Sequence, residues 1–294
     1  MPMNASVDLV FARPKVRQLL LWGFLLSVVL GFGLGILQGV WGGNLEDPIW
    51  VLVIYILIFT VLSLWIWQQF QREGIQPKFV IGQLPDRPRW LAISGLILAA
   101  LGFSLSSFLI AAAVLSYQFP LFVEQILRQV DAEATPRTAN LLLYQVVSAI
   151  ATIVVAPIAE EWIFRGFVLQ RWGVKWNLPL ALILSSVWFG LLHLNPIGLT
   201  IFGLIMGLLY LKTRSLLIPI AGHALNNLVA TSMMFLPKDP KATSIATLRE
   251  SLPIAIFLMV LSAPWLIWYI AKNFPRRDAK IPYVINAQED AQNR

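Results

Sequence analysis

Long apolar runs, broken by short polar segments, account for most of this chain. Eight runs are long enough to read as spans, at about 18–41, 49–68, 90–116, 141–170, 178–194, 196–212, 216–236 and 252–271. Helix is the expectation for each, because lipid offers no partner to an unpaired backbone group. The fifth and sixth are separated only by Asn195 and Pro196, and the fourth is longer than a bilayer core of ~30 Å requires. The pattern predicts an all-α, polytopic membrane bundle of about eight transmembrane helices, folding as one domain over 1–294, with tails at 1–17 and 273–294. No inverted repeat is visible. The first run, Leu19 to Val40, is too long for the apolar core of a signal peptide and reads as a span. Segment 117–140 is less apolar. Leu121, Phe122, Gln125, Ile126, Gln129 and Val130 give it a partly amphipathic pattern, which suits either a helix lying at the interface or a connecting loop.

Composition sharpens the class. Hydrophobic residues make up 58% of the chain and charged residues 13%, with a mean hydropathy of +0.73. A soluble domain carries about 25% charged residues, so these charges cannot cover a soluble surface, and a soluble globular enzyme is excluded. There is no cysteine, which removes a thiol nucleophile, a disulfide, a thiolate zinc site and palmitoylation together. The net charge of +7 lies between the apolar runs rather than along one stripe, so nucleic acid is not an expected partner. With the amino terminus inside, every basic residue falls in a cytoplasmic segment except Arg128, Arg137, Lys238, Lys241 and Arg249. That asymmetry places both termini in the cytoplasm of a multi-pass membrane protein, in the cell membrane for a bacterial source.

The rare polar groups of the spans carry the chemistry. Of 15 acidic residues, only Glu160 and Glu161 lie inside an apolar run; the two histidines, His193 and His223, both do, and Asn226 and Asn227 follow the second. Ionisable groups at membrane depth cost a few kcal/mol each even on insertion scales, so they read as functional by default. Residues four apart share a helix face. This pairs Glu161 with Arg165, Phe189 with His193, and His223 with Asn227, and leaves Glu160 rotated by roughly 100° from the first pair. At 1.5 Å per residue from Arg171 or Arg214, Glu160 lies about 17 Å deep, His223 about 13 Å and Asn227 about 20 Å. His193, counted from Asn177, comes out near 24 Å, so the fifth span is expected to tilt or to start inside the membrane.

Three stretches stand in order: Glu160-Glu161-Trp162-Ile163-Phe164-Arg165, Phe189-Gly190-Leu191-Leu192-His193 and His223-Ala224-Leu225-Asn226-Asn227. They resemble the EExxxR, FxxxH and HxxxN motifs of the CPBP (CAAX protease and bacteriocin-processing) family of intramembrane endopeptidases, which includes the type II CAAX prenyl endopeptidases. The resemblance covers a motif-bearing core at about 141–236. It implies hydrolysis of a peptide bond in a membrane-associated or lipidated protein or peptide. It further implies that Glu160 is the catalytic glutamate, that His193 helps to hold the attacking water, and that His223 and Asn227 stabilise the oxyanion. Glu161 and Arg165 read as a structural pair and Phe189 as packing.

A divalent metal is an open expectation. Glu160, His193 and His223 are candidate ligands for zinc with a water in the fourth position, although no HExxH is present. No aspartate lies in a span and no GxSG occurs, so aspartyl and serine intramembrane proteases fit poorly. The rival classes are a proton-coupled transporter, with Glu160 and the histidines as a relay, and a non-catalytic membrane scaffold or immunity protein. The expected partners are membrane lipid and the peptide substrate.

Overall fold

The computed structural model describes residues 10–41, 47–134, 136–234 and 244–293. Asp8, Glu46, Lys238, Asp239 and Lys241, which the sequence places between or beyond the apolar runs, lie outside them. Among the described residues the chain is all-helical. The main helices are α1 (Val16–Trp41), α2 (Ile49–Glu73), α3 (Pro77–Ile81), α4 (Trp90–Gln118), α5 (Pro120–Ala134) and α6 (Leu141–Lys175). They continue with α7 (Leu178–Leu191), α8 (Pro196–Thr213), α9 (Leu217–Met234), α10 (Ile245–Glu250), α11 (Leu252–Asn273) and α12 (Pro282–Gln292).

Six of these are long and apolar enough to cross a membrane: α1, α2, α4, α6, α8 and α11. The other two expected spans fall short for different reasons. Helix α7 has 14 residues, a rise of about 21 Å against a core of ~30 Å. Helix α9 has 18 residues, but His223, Asn226 and Asn227 make it more polar than its neighbours. The molecule is a multi-pass membrane protein whose polar chemistry sits on the long helix α6, in the turn after α7 and on α9.

Asparagine starts three of the helices that build the interior. The side chains of Asn140, Asn177 and Asn195 accept from the backbone N–H of Leu143, Leu180 and Gly198, capping α6, α7 and α8. A short polar side chain can satisfy a free N–H at a helix start, where the helix itself has no acceptor to offer. Segment 117–140 resolves largely into a helix. In α5, Val123 and Leu127 turn inward onto Ala112, Ala113 and Leu248, while Leu121 and Phe122 stay exposed.

One end of the bundle is tied by polar contacts. Arg13 pairs with Glu73, and the Arg171 guanidinium donates to the Pro14 carbonyl. Lys78 pairs with Asp290 and Arg214 with Glu289. Tyr210 donates to the Val80 carbonyl and receives a bond from Gln170, whose carbonyl oxygen accepts from the Tyr283 backbone N–H. Hence the segment before α1, the α2–α3 region, the end of α6, the α8–α9 turn and α12 meet at one end. At the other end Asp47 joins the start of α2 to Thr138 and Ala139, just before α6.

Helices α7 and α8 form a hairpin packed along its length, and α4 runs beside α8, α9 and α11. The hairpin turn meets the middle of α4, where Asn195 donates to the Ser104 carbonyl and hydroxyl. A Cβ at Gly190 would overlap Thr200 and the Pro196 carbonyl, and one at Gly198 would overlap Ser104. The two helices therefore approach as closely as their backbones allow, and the turn packs on α4 through Asn195 and Gly198 while Leu191, Leu192 and Leu194 stay exposed.

Candidate active site

Helix α6 is continuous but not uniform. Wider π-helical turns at Ile150–Val155 and Trp162–Leu169 flank the α-helical stretch Ala156–Glu161. Such turns shift the side-chain register and recur at functional sites. Between them stand Glu160 and Glu161, 6% and 0% exposed, with Arg165 one turn on at 3%.

Glu161 is the hub. One of its oxygens, Oε1, accepts from Arg165 Nη1 at 2.9 Å and lies 2.9 Å from His223 Nδ1 on α9. Arg165 Nη2 donates to the Gly203 carbonyl of α8 at 2.9 Å, and the guanidinium sits 4.8 Å above the Phe189 ring on α7. Four helices thus converge on one buried ion pair. Glu161 and Arg165 pair as the helical spacing indicated, and Glu161 also holds His223, a contact between residues 62 apart in sequence.

Glu160 points elsewhere, as the 100° rotation requires. Its Oε1 accepts from the Tyr55 hydroxyl of α2 at 2.8 Å, while Oε2 has no hydrogen-bond partner among the described residues and lies 3.9 Å from His223 Nε2. That distance is too long for a direct hydrogen bond. The edge of the His223 ring is fixed by Phe202 at 5.0 Å and Phe189 at 6.0 Å, both near-perpendicular. A carboxylate can only accept, so His223 donates Nδ1–H to Glu161 and turns Nε2 toward Glu160.

His193 is not in a helix. Helix α7 ends at Leu191, and His193 occupies the turn before α8, partly exposed. The apolar run continues through Leu194, but the backbone has already turned toward the Asn195 cap of the next helix. The ring folds back: Nδ1 donates to the Phe189 carbonyl at 2.7 Å, and the ring lies 4.7 Å from that of Phe189. Because the 14-residue α7 ends before His193, the depth counted along an unbroken helix from Asn177 does not apply to this ring. Asn227 donates one Nδ2–H to the Thr152 carbonyl at 2.7 Å, inside the first π-helical stretch, and its Oδ1 accepts from Asn226. Its second N–H remains for another acceptor.

The structure therefore joins Glu160, Glu161, Arg165, Phe189 and His223 directly. It ties His193 to that group through Phe189 and holds Asn227 one helical turn along α9. It also adds Tyr55, in the second turn of α2, a residue that no motif in the sequence singled out. Among the described residues, no group of three or more acidic or histidine side chains converges to hold a metal ion. Both histidines engage Nδ1 and leave Nε2 open, as metal-ligating histidines do, but the candidate zinc set Glu160, His193 and His223 does not converge closely enough in this geometry to hold the ion.

Residues 142–229 match the family model of type II CAAX prenyl endopeptidase Rce1-like proteins. The matched stretch holds all three motifs, so the resemblance drawn from them is borne out. One relative is the protein named "Putative membrane peptidase YdiL" of Bacillus subtilis (strain 168), 28% identical over 110 residues, which is 36% of this chain and 45% of that protein. The chain thus matches less than half the length of that relative. No solved structure matches the chain.

Proposed function

We propose that this protein is an intramembrane endopeptidase that cleaves a membrane-associated or lipidated protein or peptide, with Glu160 as the general base. One observation carries the reading: Glu160 is buried with one oxygen held by Tyr55 and the other unpartnered, facing Nε2 of a histidine that is itself held through Nδ1. A single water oxygen can contact two atoms 3.9 Å apart. In that position Glu160 Oε2 takes a proton from the water as its oxygen adds to the scissile carbonyl carbon. His193, pinned through Nδ1 in the turn after α7, takes the water-holding role that the motif resemblance assigns to it. His223, in its protonated form, and the second N–H of Asn227 donate to the oxyanion, and such donors usually account for more of the rate gain in acyl transfer than any other device. Glu160 then returns its proton to the amide nitrogen as the C–N bond breaks. Glu161 orients His223, and Arg165 neutralises Glu161.

In this reading the end tied by Arg171, Lys78 and Arg214 faces the cytoplasm, with both termini on that side. Glu160 lies about 17 Å from Arg171 along α6. A lipid-held substrate tail can then stay in the inner leaflet while its scissile bond reaches the carboxylate. The test is the membrane peptidome of cells carrying the native protein or Glu160→Gln. An uncut membrane peptide should accumulate with the variant. Identical peptidomes would refute peptidase action, and altered proton dependence of transport would favour the transporter.

A further inference from the structure

We propose that Tyr55 is a positioning residue of the active site, selecting which oxygen of Glu160 acts on the water. The inference rests on the endopeptidase reading but uses a residue outside the matched stretch 142–229. Tyr55 lies in the second turn of α2, and its hydroxyl donates to Glu160 Oε1 at 2.8 Å across 105 positions of sequence. Its ring is held 4.5 Å from that of Phe59, one turn along the same helix. Neither oxygen of a free carboxylate is distinct, and the group rotates about its terminal bond. With Oε1 held, Oε2 is fixed at 3.9 Å from His223 Nε2. A buried carboxylate with a neutral donor on one oxygen keeps its basic lone pairs on the other, directed at the water. Helix α2 thus completes a site whose remaining members come from α6, α7, α9 and the turn after α7.

The role predicts a split in kinetics. Tyr55→Phe keeps the ring and its packing and removes only the hydroxyl. Hydrogen bonds to charged groups contribute roughly 1.5–3 kcal/mol, so kcat should fall about 10- to 100-fold, with KM within about twofold. The full-length protein is assayed in proteoliposomes on a farnesylated peptide ending in cysteine, two aliphatic residues and a variable last residue with a free carboxylate. Glu160→Gln and the packing variant Phe59→Leu run alongside, with melting temperatures for each. A second readout needs no turnover: the Glu160 carboxylate stretch, identified as the infrared band missing in Glu160→Gln, should shift in Tyr55→Phe and not in Phe59→Leu. Active native protein, inactive Glu160→Gln and Tyr55→Phe with unchanged kcat would overturn the positioning role alone, as would an unshifted carboxylate band. Native protein no more active than Glu160→Gln would overturn cleavage of prenylated substrates, and the role of Tyr55 then stands or falls on the carboxylate band.

Discussion

Replacing Arg165 with methionine tests the buried network at its most costly point. The side chain is similar in length and keeps much of the apolar contact, but the charge and both donated bonds are lost. Glu161, fully buried, would keep only His223 on Oε1, and the Gly203 carbonyl would lose its side-chain donor. Removing one partner of a buried pair typically destabilises by about 3–5 kcal/mol, because the other charge is left uncompensated. Against a total stability of ~5–15 kcal/mol, that is about a fifth or more. At about 2–4 °C per kcal/mol, the melting temperature should fall on the order of 6–20 °C in a thermal-shift assay in nanodiscs. Glu161→Gln combined with Arg165→Met removes the orphaned charge, and the double variant should regain at least about 1 kcal/mol relative to additivity. Arg165→Met with native stability, or a cycle with no coupling, would refute the claim that this pair holds α6 to α7, α8 and α9.

Other variants separate chemistry from support. His223→Ala should leave the protein folded in membranes and abolish cleavage of the farnesylated peptide, whereas Asn227→Ala should lose about 10²–10³-fold in kcat, as for one oxyanion donor. Asn195→Ala removes the α8 cap and the bonds to Ser104 and should lower the melting temperature, typically by the equivalent of about 1 kcal/mol. Asp47 gives the acid response. The backbone N–H groups of Ala139 and then Ile49 hold its carboxyl below the usual carboxylate range. A carboxyl depressed on folding contributes stability that is full above its unfolded value of about 3.9 and is lost as pH falls through the folded value. The difference in melting temperature between native protein and Asp47→Asn should therefore be greatest near neutral pH and shrink below about pH 4.

The bundle was legible because apolar length is a strong signal, and the site because its ionisable residues stand where the bilayer makes them rare. The exceptions have physical causes. Leu191, Leu192 and Leu194 continue an apolar run past the end of α7, and composition cannot register that Asn195 has begun another helix. That misplaced His193 in a span. The hydroxyl of Tyr55 and the bond from His223 to Glu161 depend on how α2 and α9 pack against α6. Helical spacing pairs neighbours within a helix, and these contacts reach across 105 and 62 residues.

The route of water to Glu160 depends on which end of the bundle faces the cytoplasm, and labelling in a cysteine-free chain decides it. Gly173 has no room for a side chain, since a Cβ there would lie 2.9 Å from Ile281, and Ser215 is 0% exposed. Lys175, after Arg171 on α6, and Arg277, between α11 and α12, are exposed at the tied end. Ala132 is exposed near the end of α5, which packs against α10. The α7–α8 hairpin begins and ends at the tied end whether or not it reaches across the bilayer, so its short first helix does not alter the alternation of the rest. Lys175→Cys and Arg277→Cys should react with an impermeant maleimide only from the cytoplasmic side, and Ala132→Cys only from the opposite side. Lys175→Cys and Ala132→Cys reacting from one side would break the arrangement, and the cytoplasmic entry of water with it.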